Sequence, residues 1–180
     1  VVIELSNVSN ISLDEISKNV LSYRCGGKGT IIFNPKLPIE VTPELESIIF
    51  HMFGDGCVGK STPSFAQKDE LAQRNFILKL KNCFGDFKEN KYYDLEKGVC
   101  IIRFPKAITD ILTDYYGIES YKSDKTKIPS KIYKSNKLNK LACIISYVSD
   151  EGNIRDIISI ASKNKNFLKE LKNLIESCGY

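Results

Sequence analysis

The sequence predicts an α+β protein made of two copies of one unit, α-β-β-α-β-β-α in its full form, with the second copy cut short. Three observations predict this. First, two apolar helical stretches each end in an acid followed by glycine. Val41 to Lys60 runs through Ile48, Ile49, Phe50, Met52 and Phe53 into Gly54-Asp55-Gly56. Asn136 to Ile154 runs through Leu138, Leu141, Ala142, Ile144, Ile145 and Val148 into Glu151-Gly152. Second, a similar passage follows each, Ser64 to Lys68 and Ser159 to Lys163, and each leads into an amphipathic helix. Third, the intervals match: the acids are 96 positions apart (151 − 55) and the passages 95 (159 − 64). A single Asp between two glycines reads as a turn residue. An acid repeated at a fixed period, with its surroundings, reads as an internal duplication.

Taken in order, Val1 to Leu5 is strand-like, and Ser12 to Glu15 is a capping box that opens a helix through about Arg24, closed by Cys25-Gly26-Gly27. Gly29 to Pro38 is an extended connector, so 1–41 forms a strand-helix extension. The first unit spans 42–117. Thr42 caps its first helix, Pro43 suits the first helical position, and the near-continuous apolar run marks that helix as buried rather than laid on a surface. Short strands follow near Cys57-Val58 and Ser64 to Gln67. Asp69 then caps a helix with Ala72, Phe76, Leu80, Cys83 and Phe84 on one face, ended by Gly85. Phe87 to Phe104 reads as a hairpin turning near Glu96 to Gly98, with Cys100, Ile102 and Phe104 on its inner face. Pro105 starts a helix with Ile108, Ile111, Leu112 and Tyr115 on its apolar stripe, stopped by Gly117.

Residues 118–135 form a lysine-rich linker, and the second unit occupies 136–180. It repeats the helix, strands around Asn153-Ile154 and Ile157 to Ala161, and a helix carrying Phe167, Leu168, Leu171, Leu174, Ile175 and Cys178. No hairpin and helix follow. Since Val1 to Arg24 resembles the strand-plus-helix tail of the first unit, it is expected either to cover the stripe of Phe167, Leu171 and Leu174, with Leu13, Ile16 and Val20 making the contacts, or to be the end of a preceding domain or a linker helix resting on the first unit. A tail swapped from a second copy, or a C-terminal segment outside this sequence, would complete the unit equally well.

Composition bounds the function. The chain has 180 residues, 42% hydrophobic and 27% charged, as in ordinary globular proteins. No apolar run approaches the ~18 residues needed to span a membrane. Net charge is +4 and 22 of the 26 basic residues are lysine, since arginine occurs only at 24, 74, 103 and 155. That balance suits phosphate contacts by point charges more than bidentate base reading. The six cysteines form no CxxC pair and His51 is the only histidine, so a zinc site is not expected. The cysteines read as reduced thiols of an intracellular protein, in cytoplasm or an organellar matrix. The first residue is Val1 and the only methionine is Met52, which reads as a fragment or processed product.

The segments IIFHMFGDG (Ile48 to Gly56) and IISYVSDEG (Ile144 to Gly152) resemble the paired motifs of LAGLIDADG homing endonucleases. KSDKTKIPS (Lys122 to Ser130) has that family's look too, and the resemblance covers roughly Leu37 to Cys178. It implies that the two motif helices pack side by side about a pseudo-twofold axis. Their terminal acids would then meet and hold Mg²⁺ or Mn²⁺ for double-strand DNA cleavage by a monomer acting as a pseudo-dimer. The same scaffold implies two alternatives: a non-cleaving DNA-binding regulator, or a maturase that binds intron RNA. Carried over residue by residue, the resemblance gives Asp55 and Glu151 as catalytic metal ligands, with Gly54 and Asp150 beside them. Gln67 and Lys163 would line the cleavage water, and Lys60, Lys68, Arg103, Arg155 and Ser162 would contact nucleic acid. Two departures stand out. Phe50 occupies a position that is commonly small, matched by Ser146 in the second motif. Asp150 also stands next to Glu151, which leaves open which acid faces the metal. His51, a turn inside the first motif helix, reads as a packed or interfacial histidine.

Overall fold

The computed structural model describes residues 11–27, 29–59 and 62–180. The expected strand at Val1 to Leu5 and the candidate contact Lys60 lie outside them. The fold is mixed α+β, with seven helices and antiparallel sheets among the described residues.

Two helices form its spine. Helix α2 (Pro43–Gly54) starts as its sequence dictates, with the Thr42 side chain accepting from the Leu45 N–H and Pro43 at the first helical position. Every residue from Leu45 to Phe53 is buried. Its neighbour α6 (Lys137–Glu151) is capped by Asn136, which accepts from the Asn139 N–H, and packs against α2 more extensively than any other pair of elements. Each helix feeds an antiparallel strand pair. After α2 come β3 (Gly56–Cys57) and β4 (Ser64–Gln67), with Gly56 opposite Phe65. After α6 come β8 (Gly152–Ile154) and β9 (Ile158–Ile160), with Gly152 opposite Ile160. Each pair leads to an amphipathic helix, α3 (Glu70–Phe84) and α7 (Lys165–Glu176). The order helix-strand-strand-helix therefore occurs twice.

Beyond α3, the hairpin of β6 (Asn90–Asp94) and β7 (Val99–Arg103) extends the first sheet to the order β3-β4-β7-β6. Helix α4 (Lys106–Tyr116) then ends at Gly117, whose φ of +67° is the left-handed cap that glycine favours. Its buried face carries Tyr116 rather than the expected Tyr115. The Tyr116 hydroxyl donates to Glu46 Oε1, while Tyr115 lies outside under the Lys131 ammonium.

Three expectations need correction. The first helix, α1 (Leu13–Asn19), stops at Val20 rather than Arg24. Ser22 and Tyr23 form β1 instead and pair with β2 (Ile32–Phe33), which pairs in turn with β5 (Asp86–Phe87). Long-range strand pairing here overrides helix propensity. Second, α1 buries none of its residues and is no cover for α7. The stripe of Phe167, Leu171 and Leu174 is buried inside the fold, with the Phe167 ring against Phe50, Phe53 and Tyr147. Third, 118–135 is not a solvated tether. It contains a short helix, α5 (Ser130–Lys134), and buries Ile118, Thr126, Ile128 and Ile132.

Aromatic rings divide the core around α2. On one side Phe65 stacks on Phe76 at 4.1 Å, and Phe104 meets Phe76 edge-on. On the other, Phe50 and Phe53 reach Phe167 and Tyr121. Phe50 thus fits by turning toward α7, where it is fully buried. Close approach of α2 and α6 is achieved one turn later, at Gly54.

Candidate functional site

The two acid-glycine ends lie together at one end of the helix pair. A side chain built on Gly54 would meet the Asp150 Cβ at 3.0 Å and the Glu151 Cγ at 3.4 Å. The C-terminus of α2 therefore passes directly under both acids of α6, and a Cβ at this position would require their side chains to give by a few tenths of an ångström. The following glycines are constrained alike. A Cβ on Gly56 would lie 2.5 Å from the Met52 carbonyl oxygen, and one on Gly152 would lie 2.4 Å from that of Val148. In both segments the chain turns from helix to strand over the carbonyl four residues back, so each acid stands at a fixed place on a tight corner.

Asp55 caps α2, its N–H donating to the His51 carbonyl, and its own carbonyl accepts from the Ala66 N–H of β4 at 3.0 Å. Its carboxylate accepts from Gln67 Nε2 at 2.8 Å. Gln67 is held in turn: its side-chain oxygen accepts from the Lys68 N–H, and its backbone carbonyl accepts from Gln73 Nε2 at 2.7 Å. Burial, together with the nearby Asp150 and Glu151, pushes the Asp55 carboxyl up to about 7. Burial first, and then Asp150, also raises Glu151. Three acids with partly overlapping fields make an electrostatically crowded, anionic corner. Among the described residues no three His, Cys, Asp or Glu side chains converge into a ready metal cage.

Asp150 has a partner of its own. Its side chain is only 3% exposed and its Oδ2 lies 2.7 Å from His51 Nδ1. The other ring nitrogen, Nε2, lies 2.9 Å from Lys79 Nζ. His51 is thus the interfacial residue its position predicts. Lys79, half-buried on α3, was not singled out from the sequence, because its partners are 28 and 67 residues away.

The remaining candidates lie on surfaces. The strand register aligns Ser64, Arg103 and Asn90, then Ala66, Ile101 and Tyr92, across one face of the four-stranded sheet. Phe65 and Ile102 point the opposite way, into the core. Arg103 is exposed on this outer face, its guanidinium 4.9 Å from the Tyr92 ring centroid. Lys68 is exposed at the end of β4, where it borders a depression with Arg74, Lys91 and Tyr93. Register places Tyr93 opposite Cys100 and Cys100 opposite Gln67, so this basic depression adjoins the strand that holds Asp55. Arg155 is exposed in the β8–β9 turn. Ser162 accepts from the Asn164 N–H and neighbours the Tyr147 hydroxyl, and Lys163 is exposed beside it. The second strand pair exposes Ile154, Ile157 and Ile158, and carries no third or fourth strand among the described residues. No helix among the described residues is long and apolar enough to cross a membrane. No protein-family model and no curated protein matches the chain.

Proposed function

We propose that the chain is a LAGLIDADG-type protein, two αββαββα units about a pseudo-twofold axis with the second incomplete, and that it hydrolyses phosphodiesters of double-stranded DNA with a divalent metal. The observation that carries this reading is the meeting of Asp55 and Glu151 at the ends of two adjacent helices, each on a glycine-turned corner of matched build. Like-charged carboxyls are costly to bring together, and an arrangement that raises both is commonly functional.

The donor set fits Mg²⁺ or Mn²⁺. Mg²⁺ keeps several waters and takes one or two carboxylates together with substrate phosphate, so a two-acid site is enough. Asp55 and Glu151 would hold the ion, and its charge would offset the burial, and then the nearby Asp150 and Glu151, that raise Asp55. When bound, the metal supplies an activated water and stabilises the leaving oxygen. Gln67 fixes the orientation of the Asp55 carboxylate, and Gln73 fixes Gln67. The outer face of the β3-β4-β7-β6 sheet, with Arg103 and Tyr92, is a β-surface of the kind the major groove admits. Lys68, Arg155 and Lys163 are exposed and would add phosphate-binding charge.

The test is cleavage of a duplex pool carrying a randomised segment, with Mg²⁺ against chelator, followed by sequencing of newly formed ends. The proposal expects metal-dependent ends that vanish in Asp55→Asn. Duplex binding without any cutting would indicate the non-cleaving regulator, and preferential binding of structured RNA would indicate the maturase.

A further inference from the structure

Asp150, His51 and Lys79 form a continuous chain of polar contacts across three helices. As an ammonium, Lys79 Nζ carries only donors, and the His51 Nε2 that it faces at 2.9 Å is then the acceptor. The ring proton then sits on Nδ1 and donates to Asp150 Oδ2 at 2.7 Å. Lys79 also donates to Ser146 Oγ on α6 at 3.5 Å. The ring is wedged edge-on between Phe65 and Phe76, so it has no freedom to turn away. The contacts open toward a groove between α3 and α6 lined by Asn75, Lys79, Ser149 and Asp150, and neither Asp55 nor Glu151 lines it.

We infer that Lys79, His51 and Asp150 make a histidine-bridged ion pair that locks α2 and α3 to α6 and engages the Asp150 carboxylate, leaving Glu151 as the acid of α6 that shares a cation with Asp55. Consecutive residues of a helix point about 100° apart, so Asp150 and Glu151 leave α6 in different directions, and the bridge gives Asp150 a partner of its own. Gly54 allows it, since a side chain there would meet the Asp150 Cβ and Oδ2 at 3.0 and 3.3 Å. Asp150 is therefore a positioning residue: its carboxylate is engaged by His51, while its charge still acts on Asp55 alongside that of Glu151. The ligand half of this inference rests on the metal reading above, while the bridge itself does not.

Two measurements test the halves separately. His51 is the only histidine, so the ring of ¹⁵N-labelled protein gives one unambiguous set of nitrogen resonances. In metal-free protein the inference expects a neutral ring protonated on Nδ1, with the Nε2 resonance moving in Lys79→Met. A ring protonated on Nε2, or one indifferent to Lys79→Met, overturns the bridge. Mn²⁺ binding, followed by calorimetry, is expected to weaken at least about tenfold in Glu151→Gln and to stay within about threefold in Asp150→Asn. Loss of Mn²⁺ in Asp150→Asn with retention in Glu151→Gln reverses the assignment. Wild-type protein that binds no Mn²⁺ overturns the ligand half along with the metal reading, and the ring spectrum still decides the bridge.

Discussion

Replacing Asp55 by Asn should stabilise the metal-free protein while removing its response to metal. The carboxyl rises from the ordinary 3.8 to about 7, through burial first and then through Asp150 and Glu151. The folded chain therefore holds this proton more tightly than the unfolded chain. The group costs nothing below about pH 4, and the cost grows as pH rises toward about 7 and is complete above it. Taken at face value the shift amounts to about 4 kcal/mol, and solvent screening of a half-exposed carboxylate reduces that to roughly 1–2 kcal/mol. Asn removes the charge but keeps an oxygen for Gln67 Nε2 to donate to. At about 2–4 °C per kcal/mol for a chain of this size, Asp55→Asn should melt roughly 2–8 °C above wild type at pH 8. The gap should close as pH is lowered through 7 toward 4. Metal should reverse the order, since a ligand at a hundred times its Kd adds about 2.7 kcal/mol to the wild type alone. Scanning calorimetry at pH 5 and pH 8, with and without Mg²⁺, reads all of this. A variant that melts below wild type at pH 8 without metal would refute the reasoning and make Asp55 a structural cap.

Other consequences follow from packing and charge. Phe50→Ala empties the contact with Phe53 and Phe167 and should cost about 3–5 kcal/mol in urea unfolding, a loss beyond that of an exposed residue. Gly56→Ala and Gly152→Ala each force a Cβ onto a backbone carbonyl, so both should lose more than about 2 kcal/mol and by similar amounts. A loss confined to one would show that the two corners differ. Duplex affinity should fall steeply with salt, and Lys68→Gln should reduce the slope of log K against log salt by about 1 without changing sequence preference. A slope unchanged by Lys68→Gln would place the backbone contacts elsewhere.

Much of the framework was legible because its signals are local. Thr42, Asp69 and Gly117 cap helices through their own side chains or backbone freedom, and the strand pairs after each acid follow from residues within a dozen positions. What escaped depends on partners far along the chain. Ser22 and Tyr23 leave the helix because β2 and the Phe84 carbonyl compete for them. The segment 118–135 looks solvated by its lysines, yet Ile128 and Ile132 face the core and the Glu170 carboxylate accepts from the Ile128 N–H. At the acid corner, position and repetition pointed to Asp55 and Glu151. The role of Asp150 could not be read, because it is set by His51, 99 residues away, and by Lys79 behind it.

The central claim is that Asp55 and Glu151 share one divalent cation. Electron paramagnetic resonance of bound Mn²⁺ measures it most directly, with wild type, Asp55→Asn and Glu151→Gln titrated side by side. The account predicts that either substitution alone removes the high-affinity Mn²⁺ signal and that Mg²⁺ displaces it from the wild type. Mn²⁺ bound with undiminished affinity by both single variants would contradict it.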